Sequence, residues 1–242
     1  MLSSRLLPGL FLIAFTSFLV GPIVIHAQFQ YPPFQASDFS FVGDATISGG
    51  ALRLITVPPP GGAHTAAAIW HNQTQRVTDG FVTEFTFRIL NPQGVDGGGD
   101  GFAFVLHSGG TSTIGFGGGQ IGYADPGGIP NSLAIEFDTY YNSNFGDPNA
   151  NHLSLHTNYG GPNNASESFS LGSTSPGINF RDGAPHVVRV EYDGPTNSHQ
   201  MRIFIDNFNV LTRAVDLSAI LAGGGPNARI GFTAGGGLCL RK

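Results

Sequence analysis

Between residues 136 and 152 the chain reads EFDTYYNSNFGDPNANH, which places Glu136, Asp138, Asn142, Asp147 and His152 in one segment. Only 11% of all residues are charged, so this concentration of carboxylates calls for a counter-charge. Like charges held side by side repel when nothing compensates them. Asp138, the Tyr140 carbonyl, Asn142 and Asp147 offer oxygen donors alone, a cage suited to Ca2+. Adding Glu136 and His152 to the same two aspartates gives a mixed nitrogen and oxygen set, suited to Mn2+ or a similar transition ion. Two ions sharing Asp138 and Asp147 account for the whole cluster. The alternative is a polar loop in which each Asp and Asn shapes a turn.

These side chains need a scaffold that holds them at fixed spacing, and the flanking pattern supplies one. Leu133, Ile135 and Phe137 alternate with Ala134, Glu136 and Asp138, so a strand here sends the apolar set to one face and both carboxylates to the other. Tyr140, Asn142 and Asp147 fall in a loop rich in Gly, Asn and Pro, and His152 opens the next alternation with Leu153 and Leu155. Period-two patterning recurs from residue 38 onward, as at Phe81 to Ile89, Phe102 to His107 and Met201 to Asp206. Each is expected to be a strand with one face in a core. Helical periodicity is confined to a short piece near Val215 to Leu221. With 20 Phe, 36 Gly and 16 Pro, the composition suits many short strands joined by tight turns. The predicted fold class is all-β, an antiparallel β-sandwich or jelly roll, without an internal repeat or linker.

Charge and termini narrow the function further. A net charge of −5 with no cluster of Lys or Arg provides no electrostatic footprint for nucleic acid. Arg5 precedes the apolar run Leu6 to Ile25, and Ala27 offers a small residue at its end. Residues 1–27 are therefore expected to be a cleavable signal peptide, with residues 28–242 forming a secreted domain. The single cysteine, Cys239, allows no internal disulfide, so core burial must stabilise the domain and bound ions are worth seeking as a further source. His64, His71, His107, His156, His186 and His199 show no ligand spacing among themselves and read as surface or strand residues. Neither a Gly-x-Ser-x-Gly elbow nor an HExxH pair occurs.

The run Glu136-Phe137-Asp138-Thr139-Tyr140, then Asn142, then Asp147-Pro148, then His152 closely resembles the metal-binding segment of the legume-type (L-type) lectins. Gly99-Asp100-Gly101-Phe102-Ala103-Phe104 is similar to the strand whose aspartate binds sugar in that family, and Gly117 to Tyr123 is similar to its glycine loop. Val187 to Asp193 with Met201 to Asp206 resembles a late strand pair, so the likeness covers most of residues 38 to 236. It implies a concanavalin A-like lectin fold and a non-enzymatic carbohydrate-binding function. In that pattern Asp100 accepts from two sugar hydroxyls, Asn142 makes a further hydroxyl contact, the Gly119 N–H donates and Tyr140 forms an aromatic wall. Ca2+ and Mn2+ order the loops without doing chemistry, and the Gly99-Asp100 peptide is expected to be cis. Glycans are the implied partners, with a homodimer or homotetramer providing multivalency. In the family a strand like Ile230 to Ala234 is followed by a further C-terminal strand; here that strand is expected to be missing or altered, leaving an unpaired edge.

Two other functions fit the same fold class. Some glycoside hydrolases share this sandwich and carry Glu-x-Asp-x-Glu on a strand, and retaining hydrolysis needs two carboxyl groups about 5 Å apart. Here Tyr140 occupies the third position and Tyr141 the next, so Glu136 and Asp138 lack the partner that motif requires. A structural or adhesive surface domain without sugar affinity is the third reading, against which Asp100 and Asn142 stand.

Overall fold

The computed structural model describes residues 27–28, 35–55, 65–90, 99–222 and 224–236. The expected signal peptide, except Ala27, lies outside the described residues, as do His64 and Cys239. The described chain is a two-sheet sandwich. One sheet has the order β1 (Ala27–Gln28), β7 (Phe81–Phe87), β12 (His186–Tyr192), β13 (Gln200–Ile205) and β14 (Phe208–Ala214). The opposing sheet runs β11 (Ser170–Thr174), β10 (His152–His156), β9 (Ser132–Asp138), β8 (Asp100–His107), β15 (Asn227–Gly236), β5 (Thr65–His71) and β2 (Phe39–Gly43), with β6 (Gln75–Arg76) beside β15. A small hairpin joins β3 (Thr46–Ser48) to β4 (Ala51–Arg53). All pairings in the two main sheets are antiparallel except β1 with β7. The only α-helix among the described residues is α1 (Leu217–Ile220), where a helical piece is expected, with the Asp216 side chain capping the Ala219 N–H.

Between the sheets, period-two alternation produces the core directly. Phe102, Phe104, Leu133, Ile135 and Phe137 meet Phe87, Val188, Val190 and Ile203 from the opposing sheet. Phe102 and Phe137 stack with ring centroids 4.6 Å apart and planes 2° off parallel. Burial of a side chain such as Phe137 is worth about 1.5–3 kcal/mol.

One expectation needs correction. The strands over Phe102 to His107 and Leu133 to Asp138 are not half-buried: every residue of β9 and all but one of β8 are buried. A second apolar cluster covers the outer face of the eight-stranded sheet, where Ile121, Tyr123, Ala124 and Ile129 of the β8–β9 connection pack on Ala103, Val105, Ala134 and Trp70. That lid replaces water over the carboxylate-bearing face, so Glu136 and Asp138 are enclosed. β15, which contains Ile230 to Ala234, fills the position between β8 and β5. On the far side of β7 the described residues supply only Ala27 and Gln28, paired with Phe81 and Val82.

Candidate functional site

The β9–β10 register sets the site. His152 lies directly opposite Asp138, Ser154 opposite Glu136 and His156 opposite Ala134, all on the face turned away from Phe137. β9 ends where the Asp138 carboxylate accepts the Tyr140 N–H at 2.7 Å, a local bond that competes with strand continuation. The following loop is drawn in by the Asp147 carboxylate, which accepts the Asn142 N–H at 2.5 Å. His152 Nδ1 donates to the Asn149 carbonyl at 2.8 Å. A carbonyl only accepts, so this bond leaves Nε2 as the free acceptor of the neutral ring, pointing into the cluster.

The electrostatics are those of a site built for positive charge. Ligand atoms of Glu136, Asp138 and His152 lie within 4.8 Å of one another, and these residues are 1%, 2% and 0% exposed. Burial, then the nearby charges of Glu136 and Asp147, pushes the Asp138 carboxyl well above the usual carboxylate range. Burial also raises Glu136 and Asp147. Burial alone would lower His152, but contact with Glu167 and the charge of Glu136 outweigh it and raise the ring. Glu167 runs the other way: burial would raise it, yet His152, His156 and Ser154 hold it low. Two acceptors, Asn142 Oδ1 and His152 Nε2, are buried without a hydrogen-bond partner. His152 Nε2 is 3.2 Å from Glu167 Oε1, but in the neutral ring both atoms are acceptors. Enclosed carboxylates with orphaned acceptors are the donor set a cation satisfies, and they fit Ca2+ beside a transition ion.

Of the residues expected to contact sugar, Asp100 is tied to the end of β9, Tyr140 lies against Gly99, and Asn142 lies against Gly119. Asp100 opens β8, is 4% exposed and follows a cis peptide from Gly99, as the lectin pattern implies. Its carbonyl accepts from the Thr139 N–H at 2.8 Å and the Thr139 hydroxyl at 3.0 Å, tying it to the end of β9. A Cβ at Gly99 would lie 2.7 Å from Tyr140 Cβ, so glycine is what lets Tyr140 pack here. At Gly119, a Cβ would stand 3.0 Å from both Asn142 Cγ and Nδ2. The Gly119 backbone thus abuts the Asn142 amide, while Asn142 Oδ1 faces inward. Tyr140 is half-buried.

Three participants were not foreseen. His156, expected to be a surface or strand residue, is a strand residue, wholly buried and part of this cluster. Its signal was its spacing from His152, an even number of strand positions, which puts both rings on one face. Glu167 enters from the 3-10 turn Glu167–Phe169, and Tyr123 from the covering segment, where its hydroxyl donates to Glu136 Oε2. Neither had a local sequence signal. His107 is likewise buried, against Trp70, and desolvation, helped by Arg229, pushes it down to about 3.

The two main sheets, antiparallel except where β1 meets β7, thus carry an enclosed acidic cluster at the end of β9, with Asp100 tied to it. The profile of the legume lectin beta-barrel domain matches residues 33–240. The galactose-binding lectin of Arachis hypogaea is 30% identical over 213 residues, covering 84% of this chain and 72% of that protein. The L-type lectin-domain containing receptor kinase VIII.1 of Arabidopsis thaliana is 29% identical over 74% of this chain, which spans 25% of that kinase. Among solved structures, the Bauhinia forficata lectin in complex with GalNAc superposes with a TM-score of 0.66 at 26% identity, covering 85% of this chain and 89% of that one. The chain belongs to the L-type (legume) lectin domain family, a non-catalytic carbohydrate-binding domain.

Proposed function

We propose that this chain is an exported, metal-dependent lectin that binds glycans at Asp100, the Gly119 N–H, Tyr140 and Asn142. Ca2+ would be held by Asp138, the Tyr140 carbonyl, Asn142 and Asp147, and Mn2+ or a similar transition ion by Glu136, Asp138, Asp147 and His152. The bound ions supply fixed positive charge and coordination points and no reaction chemistry. The chain's residues do the recognition. The Asp100 carboxylate accepts from sugar hydroxyls, the Gly119 N–H and the Asn142 amide donate, and the Tyr140 ring meets the apolar face of the sugar.

The observation that carries the reading is the buried Asn142 Oδ1 without a partner. The amide of the same side chain lies beside Gly119. A cation bound to that oxygen fixes the amide that contacts sugar. The Arg5 and Leu6 to Ile25 pattern supports export. A shallow site with few hydrogen bonds binds a single sugar weakly, so a homodimer or homotetramer would provide useful avidity. Galacto-configured glycans are the first ligands to try, because galactose and GalNAc are named for two relatives.

The test is a glycan array probed with residues 28–242 in Ca2+ and Mn2+, repeated with EDTA and with Asp100→Ala. Binding that disappears in both controls is expected. A folded, metal-loaded chain that binds no glycan would overturn the reading and favour a structural or adhesive role.

A further inference from the structure

We propose that Asn72 is the acceptor of an N-linked glycan and that the second Asn-x-Ser/Thr sequence, at Asn164, stays unmodified. The inference goes beyond sugar recognition and rests only on the export part of the reading above, because the modification takes place in a eukaryotic secretory pathway. Two such sequences occur, Asn72-Gln73-Thr74 and Asn164-Ala165-Ser166, and the fold treats them oppositely. Asn72 to Thr74 form the turn between β5 and β6, and all three residues are exposed, as a bulky, hydrated glycan requires. The backbone of this turn is held in place. The Asn72 N–H donates to the Asp38 carbonyl at 2.8 Å, and the Asn72 carbonyl accepts from Arg229 at 2.9 Å. Its side chain donates from Nδ2 to the Ser37 carbonyl at 2.8 Å and accepts at Oδ1 from the Ser40 hydroxyl at 2.7 Å. An amide nitrogen carries two N–H groups, so one can be replaced while the bond to Ser37 remains.

Asn164 is half-buried and built into the packing. Its Nδ2 donates to the Asp125 carboxylate at 3.0 Å and its Oδ1 accepts the Ser166 N–H at 2.8 Å. On one side Asn163 is fully buried, and on the other Ala165 belongs to the apolar cluster over the eight-stranded sheet. A glycan at Asn164 would pull this segment out of that packing. Strand register separates Asn72 from the proposed sugar site. Thr65, the first residue of β5, and Asp100 both pair with Gly236. A strand rises about 3.3 Å per residue, so Asn72 stands about 20 Å along the sheet from the Asp100 end. A glycan there leaves the Asp100 end open. The transfer forms a bond from Asn72 Nδ2 to the anomeric carbon of a lipid-diphosphate-linked oligosaccharide. It breaks that carbon's bond to the diphosphate oxygen and releases one Nδ2 proton, with no change of oxidation state.

The experiment expresses residues 1–242 in mammalian cells and measures the intact mass of the chain recovered from the medium. Peptide mapping follows after peptide:N-glycosidase in heavy-oxygen water, which converts each glycosylated Asn to labelled Asp. Label at Asn72 and none at Asn164 is the expected result. Thr74→Ala destroys the acceptor sequence without touching an Asn72 hydrogen bond, and it should remove the whole glycan mass. A secreted chain unlabelled at Asn72, or labelled at Asn164, would overturn the assignment and leave the lectin reading standing. Glycan mass retained in Thr74→Ala would overturn it equally. A chain kept in the cytosol would overturn export and the assignment together. The mass readout does not depend on sugar binding, so a lectin reading that failed on the array would leave the Asn72 result intact.

Discussion

Replacing Gly119 by alanine adds one methyl group where two site residues already stand. The new Cβ would lie 2.7 Å from Phe145 Cε2 and 3.0 Å from Asn142 Cγ and Nδ2. Carbon atoms rest at about 3.5–4.0 Å, so the Asn142 amide must retreat by about 0.5–1 Å. Gly119 has no left-handed backbone to protect, because the positive φ values around this turn belong to Gly118, Ile121 and Gly122. The effect is therefore one of contact alone. Losing the Gly119 and Asn142 hydrogen bonds to sugar costs about 1–3 kcal/mol together, roughly 5- to 150-fold in Kd. Phe145 meets the methyl with the far edge of its ring, and shifting it should cost less than about 1 kcal/mol, under about 4 °C in Tm. Calorimetric titration with the best array glycan, with Tm and Ca2+ content measured on the same sample, separates the two effects. Gly110→Ala is the control, since a Cβ there meets nothing within 4 Å. If Gly119→Ala binds glycan as the wild type does, Gly119 and Asn142 are not sugar contacts and the assigned site is wrong.

Other outcomes follow from the enclosed charges. Adding EDTA to a chain held at about 100 times its metal Kd should remove about 2.7 kcal/mol, lowering Tm by about 5–11 °C in scanning calorimetry. In the metal-free chain Glu136 and Asp138 titrate above their ordinary values. Their contribution to stability is thus present below the unfolded carboxylate range and is lost as pH rises through the raised values. Metal binding needs the ionised carboxylates, so the Tm gap between metal-loaded and chelated protein should widen as pH rises above the ordinary carboxylate range. A gap that stays flat would show that these carboxylates do not bind the ions. Tyr123→Phe removes the buried donor to Glu136 Oε2, which should cost about 1–3 kcal/mol in urea unfolding with metals present. No loss would mean that Glu136 is satisfied without it.

Local pattern carried much of this protein. The alternation over Leu133 to Asp138 is enough to separate Phe137 from Asp138 across a strand, because successive side chains leave a strand on opposite faces whatever lies around them. The Asp and Asn loop that follows, and the even spacing of His152 and His156, are equally local. Only the tertiary structure decided how dry the carboxylates are. The segment carrying Ile121, Tyr123 and Ile129 folds over the outer face of β8 and β9, a contact between apolar surfaces that no periodicity within either strand encodes. The same is true of Glu167, which reaches His152 and His156 from a turn beyond β10. Strand geometry repeats every two residues and can be read in sequence, whereas which distant loop closes over a face depends on packing among segments far apart in the chain.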